Sequence, residues 1–153
     1  MPRMCTNPKQ SNQLLNHGFS ERAADMWWTP YVWTMPDPNA APVLVQTDVP
    51  ELYTMRVSPD DMPAFSLTTL LQALPGTITL IGGETYDLRI IKDKEVYTIE
   101  YSKINPNSGN IADYTVLAYR DGNDLIDIAV QMIIFLLKSN IPLDSEYIYN
   151  NTI

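Results

Sequence analysis

The chain has 153 residues, a formal net charge of −8, and 45% hydrophobic against 18% charged residues. This is the size and composition of one folded domain rather than of a disordered segment. It contains one cysteine and one histidine, which excludes a disulfide framework and a Cys/His zinc site and removes most histidine-dependent catalysis. The acidic balance excludes nucleic acid and anionic membrane surfaces as expected partners, because phosphate binding needs a basic surface.

The N-terminal part of the chain predicts two short helices. The first covers residues 12–16 and is followed by Gly18, a typical position for a residue with positive φ. The second begins at Ser20, a favoured N-cap, and ends before Pro30, because the residue before proline disfavours the helical conformation. The apolar residues of this second helix are Ala23, Ala24, Met26 and Trp27.

Residues 30–63 are rich in proline, which excludes a long helix or a central strand there. Two short apolar runs, at 43–46 and 52–57, predict edge strands. The segment is also rich in Trp, Tyr and Val, which a solvated linker would not be. We therefore expect an aromatic, proline-rich N-terminal arm that wraps over the core.

Two clear helices follow in the remainder of the chain. The first covers 66–74, where leucines recur at helical spacing and Pro75-Gly76 ends the pattern. The second covers 124–139, and apolar residues take most of its circumference. Such a helix must be covered on more than one side, by the sheet and by either the 66–74 helix or the Trp-rich arm. Its apolar run is shorter than the about 20 residues of a membrane span, so we expect no membrane insertion.

Between these helices the apolar period changes to two, which predicts antiparallel strands at 77–81, 86–91, 96–101 and 113–119. Gly82-Gly83 predicts a hairpin turn, since a phosphate loop would need a following helix and a lysine. In the last strand, alternation places Tyr114, Val116 and Ala118 together on one face, with Thr115 and Leu117 opposite.

The expected fold is thus a single α+β domain over residues 12–143, with tails at 1–11 and 144–153. An antiparallel sheet of about four strands packs against the two helices on one face. The N-terminus lacks the apolar run of a signal peptide, so we expect a cytoplasmic protein with a reduced cysteine.

The tryptophans form the most unusual feature, because all three lie between positions 27 and 33. Trp and Tyr are enriched at the energetic centres of protein interfaces, which favours a recognition surface. Large aromatic side chains also hold proline-rich chain against a sheet, so a core role is the alternative. The predicted binding residues are Trp28, Tyr31 and Trp33.

Other candidates for chemistry have weaker patterns. His17 lies at a helix end, where a histidine suits the helix dipole. Cys5 lies in a polar segment and is expected to be an exposed, unreactive thiol. Four carboxylates could bind Mg²⁺ or Ca²⁺, but they lack EF-hand spacing and are interpreted as a solvated loop: Asp48, Glu51, Asp60 and Asp61. We therefore predict no catalytic residue, no metal site and no cofactor.

Three motifs occur in a recognisable order. They are Leu14-Leu15-x-x-Gly18 leading to Ala24-Asp25-Met26-Trp27-Trp28, then Met62-Pro63-Ala64-Phe65-Ser66-Leu67, and finally the apolar run that begins at Asp124. Through these motifs the chain resembles short uncharacterised proteins that are encoded by phages and other mobile elements of gut Bacteroides-type bacteria. The resemblance covers residues 14–141. Phe135 and Lys138-Ser139-Asn140 depart from the family pattern. The resemblance implies a genetic setting and no activity.

We therefore predict a non-enzymatic accessory protein of a phage or mobile element that acts by protein–protein interaction. One alternative is a small-molecule, nucleotide-like binding domain with its ligand between the sheet and the arm. Another is an acidic inhibitor or immunity protein whose negative charge meets a basic partner. An enzyme using only carboxylates and tyrosines is the remaining class. A protein partner is expected, and a homodimer through an apolar patch or an edge strand stays open.

Overall fold

The computed structural model describes residues 4–29, 31–32, 35–36, 43–46, 61–105 and 114–148. The chain has an α+β fold, as predicted. Its helices are α1 (Pro8–Asn16), α2 (Leu67–Ala73) and α3 (Leu125–Lys138), with short 3₁₀ turns at Glu21–Ala23 and Ser145–Tyr147. Its strands are β1 (Met26–Thr29), β2 (Tyr31–Val32), β3 (Met35–Pro36), β4 (Val43–Gln46), β5 (Met62–Ala64), β6 (Thr77–Thr79), β7 (Thr85–Asp93), β8 (Val96–Ile104) and β9 (Tyr114–Gly122).

The main sheet is an antiparallel meander in the order β6-β7-β8-β9, which confirms the four predicted strands. Three of them are longer than predicted, at nine residues each. The β6–β7 hairpin is closed by hydrogen bonds from Gly83 N to Leu80 O and from Leu80 N to Glu84 O, both at 2.8 Å. The hairpin turn is therefore where the glycines predict it, but Ile81 and Gly82 are its central residues and only Gly83, with a φ of 85°, has positive φ.

The two predicted C-terminal helices are also confirmed. Ser66 accepts a hydrogen bond from the Thr69 amide at 3.2 Å and caps α2. Asp124 accepts one from the Ile126 amide at 2.9 Å and caps α3. The strongly apolar α3 packs on β8 and β9, and α2 packs on α3, as its wide apolar arc requires.

The N-terminal segment differs from prediction. Helix α1 begins at Pro8, because Asn7 and Gln10 form a capping box. This helix also packs on α3. Cys5 is only 3% exposed, so the expected exposed thiol is wrong. Next to it, the fully buried Thr6 hydroxyl accepts a hydrogen bond from the Phe65 amide at 3.1 Å. Residues 5 and 6, predicted to be part of a tail, therefore help to build the interior.

The second predicted helix is wrong in its second half. After the 3₁₀ turn at Glu21–Ala23, residues Met26–Thr29 form β1 at the centre of a second sheet, in the order β4-β1-β5. Pairing with strands on both sides fixes the backbone of β1, and Trp and Met fit such a pleated surface. Long-range pairing therefore overrides the local helical pattern. The predicted edge strand at 43–46 is β4, and residues 52–57 lie outside the described residues.

The C-terminal residues close the interior. Tyr147 is buried and stacks on Phe19 with ring centroids 6.1 Å apart, and Phe19 meets Phe65 edge to face at 4.9 Å. The Ser20 amide donates to the Tyr147 carbonyl at 2.9 Å. Burial raises the pKa of the Tyr147 hydroxyl. Part of the segment predicted as a C-terminal tail is thus a packed element of the fold.

The longest helix of the described part of the chain, α3, has 14 residues. Within that part, no helix has both the length and the apolar character needed to cross a membrane.

Candidate interaction surface

The four-stranded sheet has two faces with different surroundings. Its inner face carries Tyr86, Ile99 and Tyr101 into the main core, and α3 packs on this face against β8 and β9. The opposite face, which we call the outer face, carries the side chains of alternating residues fixed by the strand register. Its members are Thr77, Thr79, Thr85, Asp87, Arg89, Ile91, Asp93, Val96, Thr98, Glu100, Ser102, Ile104, Tyr114, Val116, Tyr119 and Asp121.

A β-bulge decides which residues of β9 reach the outer face. Tyr101 pairs with Ala118, but its neighbour Ser102 pairs with Val116, so Leu117 is an extra residue on β9. The predicted alternation, with Tyr114, Val116 and Ala118 on one face, is therefore wrong. Ala118 lies on the inner face, whereas Tyr114 and Val116 lie on the outer face, because one inserted residue reverses the direction of every side chain beyond it.

The bulge gives the outer face a continuous apolar stripe. We define the apolar stripe as Ile104, Tyr114, Val116 and Tyr119, which are 72%, 45%, 38% and 58% exposed. Ile104 pairs directly with Tyr114, and Val116 and Tyr119 follow along the same strand. Single exposed apolar residues are common on proteins, whereas a contiguous exposed group is typical of contact surfaces.

A polar pair lies beside the apolar stripe. Glu100, directly opposite Tyr119, is only 5% exposed although its side chain points to the outer face. Arg89 faces it across the strands, with Nη1 3.8 Å from Glu100 Oε1. The Arg89 guanidinium carbon also lies 5.9 Å from the centre of the Tyr114 ring. Arg89 therefore contacts both a buried carboxylate and an exposed aromatic ring of the stripe.

The charges on the outer face are predominantly negative. Its described residues carry four carboxylates (Asp87, Asp93, Glu100 and Asp121) and one guanidinium, that of Arg89. Three of the carboxylates are exposed, and Asp87 accepts a hydrogen bond from the Thr77 hydroxyl at 3.0 Å. The outer face thus combines an apolar stripe with negatively charged residues around it.

The predicted binding residues have other positions. Trp28 is half-buried in β1, where its indole N–H donates to the Thr6 carbonyl at 2.8 Å and its ring packs against Cys5, Met26 and Ala64. Tyr31 lies in β2, paired with Pro36, and Trp33 lies outside the described residues. Trp28 therefore belongs to the three-stranded sheet and ties the N-terminal segment to it.

The other candidates for chemistry are accounted for by packing or capping. His17 ends α1, with Nδ1 2.7 Å from the Gln13 carbonyl oxygen. Asp61 is buried, which corrects the expected solvated position, and Asp48, Glu51 and Asp60 lie outside the described residues. Where the structure is described, no group of three His, Cys, Asp or Glu side chains is placed to hold a metal ion.

A polar cavity of about 420 Å³ lies elsewhere, between α2 and the two 3₁₀ turns. Its lining residues include Arg22, Gln72, Glu146 and Tyr147. Because both a cation and an anion line it, the cavity has no single charge preference. Its position also differs from the predicted ligand site between the sheet and the arm.

In comparisons with protein-family models, curated proteins and solved structures, nothing matches this chain. The function is therefore inferred from the surface itself. The alternation predicted for β9 did not reveal the outer face, because it placed Tyr114 and Val116 on the same face as Ala118, which the structure buries. The sequence signal that could have indicated an apolar outer face is that both alternating sets of residues in β9 contain apolar side chains.

Proposed function

We propose that this chain is a non-enzymatic protein that binds a protein partner through the outer face of its four-stranded sheet. The observation that carries the proposal is the exposed apolar stripe beside a buried carboxylate, Glu100. Tyr and Arg are enriched at the energetic centres of interfaces, and both occur here as Tyr114, Tyr119 and Arg89. A cytoplasmic accessory role in a phage or mobile element is the setting that the sequence motifs favour.

The energetics favour binding over a role in folding. Exposed cross-strand pairs contribute only roughly 0.2–1 kcal/mol each to a sheet. Tyr114, Val116 and Tyr119 leave 45%, 38% and 58% of their surface in water, so a substantial part of their apolar area is not buried by the fold. A partner that covers them would remove this surface from water, which favours association by about 25 cal/mol per Å² of apolar area before the entropic cost of binding is subtracted.

Site-specific photo-cross-linking tests the proposal. A photoreactive phenylalanine analogue replaces Tyr119 or Tyr114 in cells that carry the gene, and the matched control replaces Gln72, an exposed residue of α2. We expect one protein to be cross-linked from both outer-face positions and not from position 72. The purified partner should then bind the wild-type chain, and Tyr119→Ser together with Val116→Asp should abolish this binding while the amide NMR spectrum stays folded.

Three results would contradict this function. The first is the absence of cross-links at both outer-face positions. The second is an equal yield from position 72, which would indicate general stickiness. The third is a folded Tyr119→Ser, Val116→Asp variant that binds the partner as the wild type does.

The polar cavity favours a second candidate, the binding of a small molecule such as a nucleotide. Arg22 and Gln72 supply donors that suit an anionic group, although Glu146 opposes it. A ligand in excess raises the Tm by mass action, so a thermal-shift screen with nucleotides tests this candidate. The rise in Tm should disappear in Arg22→Ala and persist in Tyr119→Ser. If no nucleotide raises the Tm of the wild-type chain, this candidate function is rejected.

A further inference from the structure

We propose that the partner presents a basic amphipathic helix, whose apolar side packs on the stripe and whose lysine or arginine reaches Glu100. This inference rests on the proposed function and adds the chemistry of the partner. Three observations on the outer face support it. They are the net charge of the face, the burial and hydrogen-bonding capacity of Glu100, and the geometry of β9.

Charge favours a basic partner over a second copy of this chain. The described outer face has four carboxylates against the single guanidinium of Arg89, in a chain of net charge −8. Two such faces packed together would place like charges across the interface, which disfavours association. A helix flanked by lysine or arginine has the complementary sign and is attracted over the distance of a Debye length.

Glu100 has capacity for a further donor. An ionised carboxylate offers about four acceptor positions. The Arg89 Nη1 to Glu100 Oε1 distance is 3.8 Å, which is longer than a hydrogen bond. Glu100 is also 5% exposed, so water has little access to it. A cationic side chain that donates to Glu100 would form a charge-assisted hydrogen bond in a protected environment, which is the stronger type.

The geometry of β9 favours a helix across the face over a strand added at its edge. Arg120 Nη1 already donates to the Tyr119 carbonyl at 2.6 Å, so a side chain of β9 itself occupies this backbone acceptor. The stripe from Tyr114 to Tyr119 spans about 15 Å at the rise of a strand, which equals about ten helical residues or three turns. The inner face of the same sheet already packs a helix, α3.

An NMR titration of the ¹⁵N-labelled chain tests this inference with defined probes. The probe is a synthetic 15-residue helix with leucines on one side and lysines on its flanks. One control peptide has glutamates in place of the lysines, and a second has the same composition in scrambled order. We expect saturable shifts at the amides of Ser102, Val116 and Tyr119 with the lysine peptide alone.

The matched variants are Glu100→Gln and Glu95→Gln, which make the same chemical change on the outer face and in the exposed β7–β8 turn. Loss of a charge-assisted hydrogen bond weakens binding by about tenfold, so Glu100→Gln should do this and Glu95→Gln should not. If Glu100→Gln fails to fold, Asp87→Asn with Asp121→Asn replaces it. That variant changes only exposed rim residues and should weaken binding several-fold at low salt.

Equal binding of the scrambled or glutamate peptide, shifts confined to the helices, or a folded Glu100→Gln chain with unchanged affinity would each overturn the inference. The proposed function fails separately. A protein cross-linked from Tyr119 whose contact surface lacks lysine and arginine overturns the basic helix and leaves the interaction surface standing. Absent cross-links at both outer-face positions overturn the interaction surface itself.

Discussion

The two faces of the four-stranded sheet differ in how far the structure buries their apolar residues: α3 packs against β8 and β9 on the inner face, whereas the apolar stripe of the outer face is 38–72% exposed. On the inner face, Tyr101 is fully buried and its hydroxyl donates to the Pro75 carbonyl at 2.7 Å. Burial raises the pKa of this hydroxyl. On the outer face, Tyr119 is 58% exposed. Burial in the core accounts for Ile99 and Tyr101 of the inner face, and for the exposed apolar stripe of the outer face we propose a partner.

The largest expected difference between the faces is in the free energy of unfolding. Ile99→Ala removes a fully buried side chain of the inner face and should lower this free energy by about 2–5 kcal/mol. Val116→Ala, the matched change on the outer face, should lower it by less than about 1 kcal/mol. Urea unfolding of both variants measures the two values. Equal losses would show that the outer face is a second core.

A tyrosine hydroxyl gives a smaller and more specific contrast. Tyr101→Phe removes the hydrogen bond to the Pro75 carbonyl and should cost about 1 kcal/mol of unfolding free energy. Tyr119→Phe makes the same change on the exposed outer face and should leave the free energy of unfolding unchanged. Both are measured by urea unfolding at neutral pH. If Tyr101→Phe leaves the free energy of unfolding unchanged, the Tyr101 hydroxyl does not contribute to the stability of the fold.

The smallest effect concerns pH at the edge of the inner face. The Tyr86 hydroxyl donates to Glu84 at 2.9 Å, and Lys103 lies 3.4 Å from the same carboxyl, which together hold the Glu84 pKa below its usual range. A lowered pKa stabilises the fold above the unfolded pKa, and this contribution is lost as the pH falls through the folded pKa. Glu84→Gln should therefore flatten the decline of Tm with acid. The control is Glu95→Gln, in the exposed β7–β8 turn. If the Tm of Glu84→Gln falls with acid as steeply as that of the wild type, Glu84 is not the group responsible for this pH dependence.

Local signals made α2, α3 and the four-stranded sheet predictable from the sequence. Ser66 and Asp124 mark helix starts, Pro75-Gly76 marks a helix end, and Gly82-Gly83 marks a turn, each through the conformation of its own backbone. Strand β1 was not predictable in this way, because Met26–Thr29 is fixed by pairing with β4 and β5, which are distant in sequence.

The candidate surface was less predictable than the fold, since it depends on a single register shift. Counting alternate residues along β9 gives the wrong face for Tyr114 and Val116 because Leu117 is extra, and no local residue marks the bulge. The burial of Glu100 likewise depends on residues brought beside it by strand pairing, such as Arg89 and Tyr119. The Trp cluster was the stronger sequence signal, but Trp28 contacts the N-terminal segment.

The central claim is that the outer face is maintained for contact and not for folding, and urea unfolding of a triple variant tests it most directly. Tyr114→Ser, Val116→Ser and Tyr119→Ser together remove most of the apolar stripe. We predict a loss of no more than about 2 kcal/mol in unfolding free energy, because exposed sheet residues contribute little. A loss above about 3 kcal/mol, comparable to that expected of Ile99→Ala alone, would show that the stripe is part of the core and would contradict the account.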